Sequence, residues 1–178
     1  DDPGKCVLGT VPVEEDGSAH FRAPAGVILF FQALDSRGMA VQTMRSVTHV
    51  QPGRTLGCSG CHEPRSEAPP RATVIAARRE PSRIIPGPEG SWPLRFDKLV
   101  QPVLEEHCVK CHGPASEDRE ASKLDLTAEK SYDSLTSHGS PSLADHVRTA
   151  YHRGYSVEGS CGARESKVLE KLATSESH

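Results

Sequence analysis

Two short stretches of this chain carry residues whose types and spacing make chemistry. Cys58-Ser59-Gly60-Cys61-His62 and Cys108-Val109-Lys110-Cys111-His112 both read C-x-x-C-H. Two thiols about one helical turn apart can each add to a vinyl group of one porphyrin, and the histidine next to them is then held under the iron. This is the attachment pattern of a c-type haem. A zinc ribbon made of two C-x-x-C knuckles would separate them by about 15–20 residues and gives the histidines no task. The separation here is far longer. With nine histidines in 178 residues, a His after both pairs by chance is about a one-in-400 event. Two covalently bound c haems are therefore expected, with Cys58, Cys61, Cys108 and Cys111 as the thioether residues and His62 and His112 as proximal ligands.

Candidates for the opposite face of each iron come from the remaining inventory. The two methionines, Met39 and Met44, both fall in a stretch that reads as β, which excludes a methionine ligand from the second haem's own domain. His146 and His152 lie in a helical stretch and His178 comes after the last helix, so these three are the distal candidates for the second haem. Tyr132, Tyr151 and Tyr155 are alternative axial ligands, whereas His107 adjoins Cys108 and is poorly placed to reach the far face. Six cysteines less four thioethers leave Cys6 and Cys161, which an oxidising compartment would pair as a disulfide or leave as separate thiols.

Composition fits a cofactor-bearing chain. Hydrophobic residues make up 35% and aromatics 4%, lean for a core of this length, and two porphyrins would supply apolar bulk. The formal charge of −3 gives no electrostatic case for nucleic acid or an anionic membrane. No apolar run approaches the ~18–20 residues of a membrane span. Haem c attachment takes place outside the cytoplasm, so a periplasmic or equivalent compartment is expected, with the leader already removed.

The elements that position the motifs change character twice. Residues 1–57 read as a small β-sandwich-like module. Its strand-length runs Val7–Val13, Ala19–Ala23, Val27–Asp35 and Met39–Val50 are separated by turns at Glu15-Asp16-Gly17 and Asp35-Ser36-Arg37-Gly38. Residues 58–91 hold the first motif and a proline-rich coil, with one or two helical turns at Ala72–Arg79. Residues 92–178 read as an α-helical cytochrome c domain. Phe96, Leu99, Val100, Val103, Leu104 and His107 line one helix face running into the second motif, with a kink or break at Pro102. Ser142–Tyr151 and Arg164–Ala173 are further amphipathic helices. The fold class is α+β.

Leu8-Gly9-Thr10-Val11-Pro12-Val13-Glu14-Glu15-Asp16-Gly17-Ser18-Ala19, Phe31-Gln32-Ala33-Leu34-Asp35, Gln42-Thr43-Met44-Arg45-Ser46 and the C-x-x-C-H-E-x-R that starts at Cys58 resemble the middle β domain of the hydrazine synthase alpha subunit. The run from Pro102 to Gly113 resembles that subunit's dihaem C-terminal region and planctomycete-type cytochrome c domains. The resemblance implies a bis-histidine electron-transfer haem at His112, completed by a histidine after the last helix, here His178. At the first haem it implies that a tyrosine four residues past the motif histidine binds iron while the histidine binds zinc. Ser66 stands at that place. Serine is a poor iron ligand, so ordinary proximal ligation by His62 is expected, with zinc as an alternative cofactor there.

Three functions from different classes are compatible with these residues. The first is an electron-transfer module serving redox partner proteins. The second is a hydrazine synthase-like haem oxidoreductase whose first haem keeps an open face for a small inorganic nitrogen or oxygen species. The third is a zinc-stabilised structural module. No nucleophile triad, phosphate loop or carboxylate pair offers a protein-borne catalytic residue.

Overall fold

The computed structural model describes residues 4–60, 74–87 and 93–174. The chain divides into two compact units, and they do not keep to sequence order. One joins Phe31–Arg45 to Arg95–His178; the other joins Asp2–Phe30 to Ser46–Leu94.

The first unit opens with a hairpin. Strands β1 (Gln32–Leu34) and β2 (Ala40–Thr43) pair antiparallel, with a bulge between Ala33 and Leu34. The turn is the one expected at Asp35-Ser36-Arg37-Gly38. The Asp35 carboxylate accepts from the backbone N–H groups of Arg37 and Met39, both at 2.9 Å, and Gly38 takes the left-handed φ of 76° that closes it. Sequence texture assigns this hairpin to an N-terminal β module. It instead shares a unit with the helices because its polar groups find partners there. Asp35 pairs with Arg164, the Val41 carbonyl accepts from Gly159 N at 2.8 Å, and the Thr43 carbonyl accepts from Ser156 Oγ at 2.9 Å.

Five α-helices come next among the described residues: α1 Phe96–Leu99, α2 Gln101–His107, α3 Ser131–Ser137, α4 Leu143–Arg153 and α5 Lys167–Thr174. The expected interruption is present, but it falls at Val100, before the proline. Pro102 sits in the first turn of α2, where its missing N–H is one of the groups a helix start leaves unbonded in any case. Helix α4 is fixed at both ends. Ser142 and Asp145 form a reciprocal capping box, and Gly154 closes the C-terminus at φ 82°. The Arg45 guanidinium donates to the carbonyls of Ala150 and Tyr151 at 3.0 and 3.1 Å, placing a cation on the helix's negative end. The packed interior is small. Leu104, Leu126 and Cys161 are its buried apolar residues, beside Gln101, Ser131, Ser142 and Ser166.

The second unit is mostly extended chain held at single points. Isolated bridges join Thr10 to Ile85, Phe21 to Ser82 and Leu29 to Thr48, and Leu29 and Ala76 are buried. A two-sheet sandwich is not found among the described residues. Pro12 and Pro24, with left-handed Gly17 and Gly26, break the strand-length runs before ladders can extend. Side chains take over the cross-links. Arg79 donates to Glu14 Oε1 at 2.5 Å and to Ser82 Oγ at 2.7 Å. Asp16, in the expected Glu15-Asp16-Gly17 turn, accepts from Ile75 N at 2.8 Å. That bond, the largest of several, holds the Asp16 carboxyl below its ordinary value. Ile75–Arg78 is one 3-10 turn, within the segment expected to be briefly helical. No helix among the described residues is long and apolar enough to cross a membrane.

Candidate haem-attachment site

The second C-x-x-C-H motif is the continuation of α2. Cys108 N donates to the Leu104 carbonyl at 2.8 Å, and Cys111 N and His112 N donate back to the Cys108 carbonyl at 3.0 and 2.8 Å. The two thiols are thus presented from one tight turn, Cys108 half-buried and Cys111 exposed. The turn ends at buried Gly113, where a Cβ would lie 2.7 Å from the Val109 carbonyl oxygen. Only glycine fits that approach without displacing the motif's backbone.

The histidine ring is oriented by a loop that sequence reading does not single out. His112 Nδ1 lies 2.9 Å from the Ala121 carbonyl oxygen. A carbonyl can only accept, so Nδ1 carries the proton and Nε2 is the nitrogen with the lone pair. Metal-bound histidines make this bond routinely, because it fixes both tautomer and ring plane. The Ala121 carbonyl is itself held. The Asp118 carboxylate accepts from Ala121 N at 3.0 Å and Glu120 N at 2.9 Å. These backbone bonds, Ala121's the larger, keep the Asp118 carboxyl below its ordinary value. On the other side, Leu126 N donates to the His112 carbonyl at 2.8 Å. Beneath it lies a buried polar link, in which Ser131 Oγ donates to Gln101 Oε1 at 2.6 Å and Gln101 Nε2 reaches the Leu126 carbonyl at 3.4 Å. The residues present fit a covalently attached haem, with Cys108 and Cys111 as anchors and His112 Nε2 toward iron.

Of the first motif, Cys58 is an exposed thiol and Gly60 adopts φ 69°; Cys61, His62 and Ser66 lie outside the described residues. The distal candidates separate. His178 also lies outside the described residues. His152 is exposed and meets the Tyr151 ring edge-on at 5.7 Å between centroids. His146 turns Nε2 into the protein, where the atom is buried without a hydrogen-bond partner. It lines a cavity of about 330 Å³ that also takes in Met44, Arg45, Tyr151 and Cys161, but none of Cys108, Cys111 or His112. The structure brings Met39 and Met44 into the second motif's own unit, which removes the ground for setting methionine aside. Cys6 and Cys161 are free thiols, one half-buried and one buried.

A family model described as the hydrazine synthase alpha subunit middle domain matches residues 3–63. The matched stretch covers about a third of the chain and contains the first C-x-x-C-H motif. No curated protein and no solved structure matches the chain.

Proposed function

We propose that this chain is a dihaem c-type electron-transfer module of an extracytoplasmic compartment, related to the dihaem part of hydrazine synthase alpha subunits. The observation that carries this reading is the His112 ring, held through Nδ1–H by the Ala121 carbonyl at the end of a helical turn that presents Cys108 and Cys111. A zinc knuckle needs further ligands close by, and no group of three or more His, Cys, Asp or Glu side chains suited to a metal exists among the described residues. Exposed apolar side chains on α2 and α3 support the same reading. Val103 is 53% exposed and Tyr132 55% exposed, and a porphyrin plane would take such surface from water.

The protein's part in electron transfer is positional. His112 would hold the haem iron through Nε2 in a fixed tautomer, Asp118 orders the loop that fixes it, and the turn after α2 presents the thiols. The haem supplies the redox chemistry. His178, by resemblance, is the preferred distal ligand of the second haem, ahead of His146 and His152. His62 serves the first haem as proximal ligand, with redox partner proteins as the electron source and sink and no zinc required.

Intact mass and haem staining of a denaturing gel test the reading. Two haems per chain are expected. A mass equal to the bare protein, or to protein plus zinc, refutes it. Carbon monoxide titration of the ferrous protein then distinguishes a carrier from an enzyme. Two low-spin haems that take up none support electron transfer, whereas one equivalent bound per chain identifies an open haem and replaces electron transfer with small-molecule chemistry.

A further inference from the structure

The loop beneath His112 is built more firmly than the attachment of a haem requires. Its three-residue 3-10 turn, Ala121–Lys123, is too short to hold itself, yet its first carbonyl is the acceptor for His112 Nδ1 at 2.9 Å. Asp118 supplies the missing constraint twice. Its carboxylate oxygen Oδ1 accepts from Glu120 N and Ala121 N at 2.9 and 3.0 Å, and its backbone carbonyl accepts from Ser122 N at 3.0 Å. The Ala121–Ser122 peptide is therefore bonded at both ends, its N–H to Asp118 and its C=O to His112. Hydrogen bonds arranged head to tail in this way polarise one another, which makes the Ala121 carbonyl a stronger acceptor. Its second lone pair is taken by Leu124 N at 3.2 Å. Asp118 N in turn donates to Ser116 Oγ at 3.1 Å, so the aspartate is itself anchored.

We propose that Asp118 is a positioning residue that lowers the reduction potential of the haem at the second motif, an inference that rests on the dihaem reading above. An imidazole whose Nδ1–H is held by a fixed carbonyl is more basic at Nε2. A more basic axial nitrogen favours ferric over ferrous iron, and hydrogen bonding to the ligand is one of the protein's levers on haem potential. Charge does not carry the effect. The carboxylate acts through two backbone N–H groups, and a neutral amide oxygen can accept from the same two. Asp118 is exposed, so water takes over these N–H groups when the side chain is removed, and the turn loosens rather than collapses. Cys58 and Gly60 of the first motif belong to the other unit, which makes the first haem the internal reference.

The test is a spectroelectrochemical titration of the full chain, with two haems confirmed by intact mass. The double variant Cys108→Ala, Cys111→Ala identifies the wave of the second haem by deleting it. Asp118→Ala should shift the second haem's ferric–ferrous equilibrium about tenfold toward ferrous, the lower end of the loss expected when a ligand's supporting hydrogen bond is removed, or about 59 mV upward for one electron. The first wave should not move. Asp118→Asn keeps the acceptor without the charge and should stay with the parent. Where the alanine variant loses its second haem, Asp118→Ser, a weaker turn former of the same kind, carries the test with a smaller upward shift. An unmoved second wave in the variant that retains both haems overturns the proposal and leaves the dihaem reading intact. So does an equal shift in Asp118→Asn, which makes charge the cause, or an equal shift of both waves. A parent chain without haem at the second motif overturns the dihaem reading and this proposal together.

Discussion

Replacing Gly113 by alanine adds one methyl group at the point where the second motif turns back on itself. The new Cβ would sit 2.7 Å from the Val109 carbonyl oxygen and 3.5 Å from Val109 Cγ1. The first distance is well inside ordinary contact, and the opposing atom is backbone, which cannot rotate away. Relief requires the Cys108–His112 turn to open. Overpacking of this kind costs about 1–3 kcal/mol. For a chain of this length that corresponds to a fall in melting temperature of about 2–12 °C. Gly57→Ala is the matched control, because a Cβ there meets nothing within 4 Å and its φ lies outside the left-handed range; loss of unfolded-state freedom should stabilise that variant by about 0.4–1 kcal/mol. Thermal denaturation monitored by far-ultraviolet circular dichroism measures both. Haem content per chain of Gly113→Ala reads out the motif itself, and should fall at the second site while the first stays loaded. If Gly113→Ala melts with Gly57→Ala and keeps full haem content, the close approach is not what holds the motif's geometry.

Ser131→Ala removes the hydroxyl that donates to Gln101 Oε1 between two buried side chains, and should cost about 1–3 kcal/mol because it strands a buried acceptor; urea denaturation within about 0.5 kcal/mol of the parent contradicts this. Gly9→Ala should disrupt the second unit more severely, since its backbone lies at φ 137° and a Cβ would be 1.9 Å from the Ile85 carbonyl oxygen; amide exchange at Thr10 and Ile85 should accelerate. Asp35 is held below the ordinary aspartate value of 3.8, chiefly by the Met39 N–H and further by Arg164. A depressed folded-state value means that its contribution is present above pH 3.8 and is lost as pH falls below that value through the folded-state pKa, so Asp35→Asn should flatten this part of the acid-unfolding curve. For the second haem, alanine at one of His178, His146 and His152 should convert a low-spin iron to high-spin. If none does and a methionine–iron charge-transfer band is present, bis-histidine ligation is wrong.

Local signals are legible in the sequence because they rest on local physics. The Asp35–Gly38 turn and the helix α4 each depend on residues within a few positions of one another, and each lies where the sequence places it to within two residues. The boundary expected at Pro102 lies two residues earlier because proline is tolerated in a helix's first turn as readily as it breaks a later one. The β-sandwich expectation fails differently. Strand-length apolar runs in residues 7–30 satisfy a propensity argument, but pairing needs a partner in register, and the partners available are single residues at Thr48, Ser82 and Ile85. The Asp118 loop beneath His112 carries a weak signal, an aspartate before two free N–H groups. Its contact with His112 spans nine residues and has no periodicity to betray it.

The axial ligands are the case in which neighbourhood along the chain misleads about neighbourhood in space. Met39 and Met44 lie far from Cys108 in sequence, in a stretch with strand texture, and that distance is the whole of the sequence argument against a methionine at the second haem. The hairpin that carries them belongs to the helical unit, tied there by Arg164, Gly159 and Ser156, so distance along the chain excludes nothing. Met44 and His146 line one pocket of that unit, which makes His146 the informative residue. A haem spectrum that changes on its replacement by alanine assigns it to the iron, and one that stays intact removes it from the candidates.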